Sequence, residues 1–100
     1  MKTTLKKEDG NLVVYFDGRL DTAAASTVAT ELQPLKDCTG HDIILDCTRL
    51  EYISSSGLRL FLGVLKDAKA VGSHVYIHGL NSDVNSVFAM TGFSNLFEYR

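Results

Sequence analysis

Three consecutive serines, Ser54, Ser55 and Ser56, stand directly before Gly57 and a strongly apolar run that opens with Leu58. A hydroxyl in that place can do two kinds of chemistry. It can cap a helix, because a side-chain oxygen accepts from a backbone N–H left free in the first turn. It can also carry a phosphate, because the same free N–H groups and the helix dipole favour negative charge. Two carboxylates are expected nearby. Asp46 closes the apolar run Ile43-Ile44-Leu45, and Asp21 precedes a helical pattern. Both would add to the negative field around Ser55. Arg59, one turn further along, would moderate it, as would Arg19.

Other chemistries lack their residues. The chain has no Gly-x-x-x-x-Gly-Lys-Ser/Thr loop, no Gly-x-Ser-x-Gly elbow and no Gly-x-Gly-x-x-Gly run. No histidine stands at a placeable distance to act as base for the serines, so an enzyme is not expected. His41, His74 and His78 do not fall at ligand spacing, and Cys38 and Cys47 fit no common zinc pattern. No metal site and no cofactor is therefore expected. Cys47 reads as core and Cys38 as a partly exposed turn residue.

The elements that must hold the serines follow from the apolar pattern. A chain of 100 residues, 45% apolar and 22% charged, is globular rather than disordered and has room for one domain. Residues 3–8 and 11–17 read as strands around the Asp9-Gly10 turn, with Gly18 ending the second. Asp21 or Thr22 caps a helix with Ala24, Val28, Leu32 and Leu35 on one stripe, and Pro34 ends it. Residues 42–47 read as a strand without alternation, expected to be covered on both faces. The helix after the serines runs to about Ala70, with Leu58, Phe61, Leu62, Leu65 and Ala68 inward. Leu60, Gly63 and Val71 point away from that face. Residues 74–78 read as a strand. Asn81 or Ser82 caps a short helix that ends at Gly92 and carries Val84, Val87 and Phe88 inward. The tail, with Phe93, Leu96 and Phe97, is expected to pack back on the fold. The order β-β-α-β-α-β-α, with room for a last short strand, implies an α/β fold with a mostly parallel sheet.

Net charge is −2, without a basic run, which argues against nucleic acid and membrane surfaces as partners. No apolar run approaches the roughly 20 residues that span a bilayer. Glu8, Asp9 and Gly10 follow the basic N-terminus where a signal peptide would be apolar. A cytoplasmic protein with reduced thiols is the expectation.

Gly18-Arg19-Leu20-Asp21 follows a strand and opens a helix. Ile43-Ile44-Leu45-Asp46 leads into Tyr52-Ile53-Ser54-Ser55-Ser56-Gly57-Leu58. Together with the order of elements, this pattern resembles the STAS domain of bacterial anti-sigma-factor antagonists over almost the whole chain. The resemblance implies one STAS-like domain over residues 1–100, a mixed, mostly parallel sheet with helices packed against it. The family's common motif is Asp-Ser-Ser-Gly-Leu, and its first serine is the phosphorylation site. Matched onto this chain, that serine is Ser55; Ser56, Gly57 and Leu58 follow it. Ser54 stands where aspartate is common, so Ser54 and Ser56 are the alternative acceptors.

The resemblance also implies a switch. The unphosphorylated protein binds an anti-sigma factor that has serine kinase activity, and this releases the sigma factor. Phosphorylation ends the complex, and a metal-dependent serine phosphatase resets it. ATP belongs to the kinase. Asp21, Ser54, Ser56, Gly57, Arg59, Leu60 and Gly63 are the residues expected to meet the partner. For Asp21 the competing role is helix capping; for Leu60 and Gly63 it is packing against a neighbouring helix. A STAS adaptor that does not switch, held in a larger signalling or transport assembly, is the alternative function. In it Ser55 would only cap. A receiver domain, which shares alternating β and α elements, would need an acidic cluster after its first strand that this chain lacks.

Overall fold

The computed structural model describes all 100 residues. Five strands, β1 (Lys2–Glu8), β2 (Asn11–Leu20), β3 (Ile43–Ile53), β4 (Val75–His78) and β5 (Glu98–Tyr99), form one sheet in the order β1-β2-β3-β4-β5. Three helices, α1 (Thr22–Glu31), α2 (Ser55–Ala70) and α3 (Ser82–Met90), connect the last four strands. β1 and β2 are antiparallel and the other pairs parallel. The last short strand is therefore present. The turn at Asp9 and Gly10 has positive φ at both residues, 52° and 80°. That is the signature of the type I′ turn, whose twist suits a two-residue hairpin.

Each parallel connection moves the chain one place in the same direction across the sheet. Right-handed crossovers that never reverse direction put every helix on one face. The other face stays open. The burial of β3 records this: Ile43, Leu45 and Cys47 are buried, while Ile44 and Asp46 between them are only half-buried. The expectation that this strand is covered on both faces is thus corrected.

β3 also runs to Ile53, well past the expected end at Asp46 or Cys47. The pairing explains why. Tyr15 faces Asp46 and Asp17 faces Arg49; Gly18 faces Leu50 and Arg19 faces Tyr52. At each step β3 takes one more residue than β2, so it is bulged twice. Its buried residues then fall three apart, at Cys47, Leu50 and Ile53, and the period of two is lost. Gly18 does not end β2. At φ 115° it turns the chain between these bulges, and the strand continues to Leu20.

Phe61 of α2 is fully buried at the centre of the core. Its ring lies 5.2 Å from Phe16, 6.1 Å from Phe88 and 6.4 Å from Phe97. Phe97 and the half-buried Phe93 bring the tail back on the fold as expected, while Leu96, expected to join them, is exposed. Pro34 falls in a short 3-10 turn after α1, whose helical bonding ends before it. Leu62 is only half-buried, and Val64 faces the core instead. Cys38, expected to be partly exposed, is fully buried. Its carbonyl accepts from the Ser73 hydroxyl at 3.2 Å, a contact far away in sequence. Cys47 is core, as expected. Burial, helped by the charge of Asp46, raises its thiol far above the ordinary range. No helix is long and apolar enough to cross a membrane.

Candidate functional site

β2 and β3 end side by side, with Leu20 opposite Ile53. The Ser54 N–H donates to the Leu20 carbonyl at 2.9 Å, so α1 and α2 start next to each other. Asp21 caps α1: its Oδ1 accepts from the Ala24 N–H at 2.8 Å. Ser54 caps α2: its Oγ accepts from the Gly57 N–H at 3.2 Å. Asn81 caps α3 through the Val84 N–H at 2.8 Å, and its side-chain amide donates to the Leu50 carbonyl at 3.0 Å. Three helix N-termini are therefore tied to the end of the sheet where the parallel strands finish.

The serines divide their work. Ser54 is the buried one, 8% exposed, with its hydroxyl on the cap. Ser55 is exposed at the first helical position, and Ser56 is half-buried behind it. The N–H groups of Ser55 and Ser56 have no carbonyl within the helix to bond. Replacing Ser54 with alanine should cost about 1 kcal/mol of stability through the lost cap. Ser55→Ala should stay within about 0.5 kcal/mol of wild type, as exposed substitutions do. Urea denaturation of both variants checks the contrast; equal losses would contradict the division of roles.

Gly57 is buried where the first turn of α2 presses on both strand ends. A Cβ there would lie 2.8 Å from Leu20 Cγ and 2.8 Å from Ile53 Cγ1. Gly63, two turns along, has nothing within 4 Å of such a position. It lines a groove of about 230 Å³ between α1 and α2, with Leu60, Leu32, Arg59 and Asp67 around it. Gly63→Ala should stabilise the fold by about 0.5–1 kcal/mol, because the helix gains propensity and meets no clash. A lower urea midpoint than wild type would contradict that. Leu60 is half-buried, packing partly on the core while it lines the groove. Arg59 is exposed, and the two ion pairs of the chain, Arg49–Asp17 and His74–Glu98, leave it unpaired.

Of two further residues expected near Ser55, Asp46 lies far from it and Arg19 is engaged by an aromatic ring at the edge of the site. Asp46 points to the open face, where its carboxylate accepts from the Thr48 N–H at 3.0 Å. β3 continues for seven residues beyond it, which places Ser55 roughly 20–25 Å away. Arg19 lies over the Tyr52 ring, 4.5 Å from its centroid. Tyr52, 39% exposed, thus joins the edge of the site, a contribution that composition around the serines did not signal. The histidines are also held away from the serines: His41 on the Gly10 carbonyl, His74 on Glu98 and His78 on the Arg100 carbonyl. Ser55 is therefore an exposed hydroxyl with no histidine held beside it. Such a group can accept a phosphoryl group from outside, and the free amides of the helix start can hold the charge.

This is a singly wound α/β domain with its helix starts gathered at one end. The STAS domain family matches residues 2–100, and the chain belongs to that family. A Bordetella bronchiseptica protein named as an anti-sigma factor antagonist, BtrV, is 36% identical over 97 residues, covering 97% of this chain and 84% of that protein. A Thermotoga maritima structure described as an anti-sigma factor antagonist superposes with a TM-score of 0.88 at 17% identity, over 97% of this chain and 84% of the other. The phosphorylated form of the Bacillus cell fate determinant SpoIIAA gives a TM-score of 0.74 at 21% identity, over 99% of this chain and 91% of the other.

Proposed function

We propose that this chain is a cytoplasmic anti-sigma-factor antagonist whose binding is switched off by phosphate on Ser55. The observation that carries the reading is the division among the serines. Ser54 is buried in its cap, while Ser55 next to it is exposed and free of that duty. The names of the relatives supply the partner class, an anti-sigma factor. The finer proposal is that this partner is itself a serine kinase and that a metal-dependent serine phosphatase reverses its action. The partner surface is the end of the sheet around Asp21, Ser55 and Ser56, continued along α2 by Arg59, Leu60 and Gly63; Ser54 and Gly57, also expected to meet the partner, are buried and support that surface from beneath.

Phosphate adds about −1.5 to −2 charges and three acceptor oxygens. At a helix start this charge is tolerated within the domain. Facing a partner, it must be desolvated and is poorly paired unless that partner supplies cations. The effect of the modification therefore falls on the complex and leaves the fold intact.

The test is residue-resolved phosphopeptide mass spectrometry after incubation with ATP and native-cell extract, wild type beside Ser55→Ala. Phosphate on Ser55, absent from the variant, supports the reading. Phosphate on Ser54 or Ser56 instead would overturn the assignment to Ser55. No phosphate, in an extract that modifies a control substrate, would favour the adaptor that does not switch.

A further inference from the structure

We propose that β1 is a self-pairing edge, through which two copies of this chain join their sheets. The argument begins at the hairpin. In a two-residue I′ hairpin the residues flanking the turn, here Glu8 and Asn11, form a hydrogen-bonded pair. Pairing alternates along the strand, so Glu8, Lys6, Thr4 and Lys2 direct their backbone groups to β2. Thr3, Leu5 and Lys7 direct theirs outward, to an edge that no other strand covers.

An antiparallel copy related by a two-fold axis at Leu5 meets these groups in register. Leu5 faces Leu5 of the second copy, and Thr3 faces its Lys7, each pair exchanging two backbone hydrogen bonds. The side chains agree with the backbone. Lys2 then stands opposite Glu8 of the second copy at both ends of the ladder, and Thr4 stands opposite Lys6. No lysine faces a lysine. A shift of two residues in either direction puts Lys6 opposite Lys6, or Lys2 opposite Lys6. Edge lysines commonly keep strands apart. Here they oppose the wrong registers and leave one favoured.

A second feature of the same edge needs cover. The helix layer stops short of β1 and leaves a groove of about 230 Å³ whose apolar lining is Leu5, Leu12, Val13, Pro34 and Leu35. Leu5 is half-buried there, and in the paired sheet it meets its own symmetry mate. The edge is short for a stable interface, so the dimer should be weak and dependent on concentration. β1 lies two strands away from β3, so pairing leaves the Ser55 end of the sheet free, and the inference stands apart from the switch.

Sedimentation velocity of the intact chain, from low micromolar to millimolar concentration, tests it. Wild type should rise from the 11.0 kDa monomer toward twice that mass. Lys2→Glu or Glu8→Lys alone should weaken association about tenfold, since each replaces attraction by repulsion at both ends. The double variant, Lys2→Glu with Glu8→Lys, should recover it. All three change exposed residues, and circular dichroism verifies that they fold. A monomer at every concentration would overturn the proposal. So would single variants that associate like wild type, or a double variant no stronger than the singles.

Discussion

Ser55→Glu protein is expected to bind its anti-sigma partner at least tenfold more weakly than wild type, while Ser55→Ala binds at full strength and stays bound when ATP is added. The sizes follow from where the charge sits. Within the domain, a carboxylate in the first turn of α2 is mildly favourable, by about 0.3–1 kcal/mol. Thermal melting of the Glu variant should therefore match or exceed wild type. Across an interface, the same charge loses water without gaining a partner. A tenfold loss needs only about 1.4 kcal/mol, and an unpaired desolvated carboxylate readily costs more. Phosphoserine, with more charge, should weaken binding further. Calorimetric titration with the anti-sigma partner recovered by pull-down measures wild type, both variants and the phosphorylated form. If the Glu variant is folded and binds like wild type, Ser55 is not the switch.

Gly57→Val is expected to cost about 3 kcal/mol, a large share of the stability of a domain this size. The would-be Cβ lies 2.8 Å from Leu20 Cγ and 2.9 Å from Leu20 Cδ2, and 2.8 Å from Ile53 Cγ1. Both neighbours are buried strand ends and have little room to move. Even Gly57→Ala should lose about 1–2 kcal/mol, although alanine gains about 1 kcal/mol in helix propensity. The contrast with Gly63→Ala in the same helix removes propensity from the comparison. Urea denaturation gives both values. A Gly57→Ala protein as stable as wild type would mean that the first turn of α2 can lift off the sheet without penalty. Because Ser54 and Ser55 stand on that turn, their placement depends on how closely Gly57 seats.

Much of this site was legible because its signals are local. A cap acts on an N–H three residues away, and Asp21 and Ser54 do so at the helix starts where the sequence placed them. Gly57 belongs to a short motif whose glycine has a packing reason. The misses concern pairings between distant segments. The second half of β3 was hidden because two bulges turn the spacing of Cys47, Leu50 and Ile53 from two to three. That error moved Asp46 toward the serines, when the strand carries them far past it. The burial of Cys38 depends on Ser73, 35 residues later, and the flanking residues Asp37, Thr39 and Gly40 suggest only a turn. Ile43-Ile44-Leu45 looked covered on both faces because the direction of the crossovers is a property of the whole chain.

The spatial order of the strands has a consequence for how the site is put together. Every strand pairs only with its neighbours in sequence. No strand must be inserted between two that have already joined. Each strand adds to the edge left by the one before it in sequence, and the helices close over the same face. The end of the sheet that carries Ser55 is thus built from neighbours in sequence, with the starts of α1 and α2 joined through Leu20 and Ser54, and Asn81 of α3 closes it last in chain order.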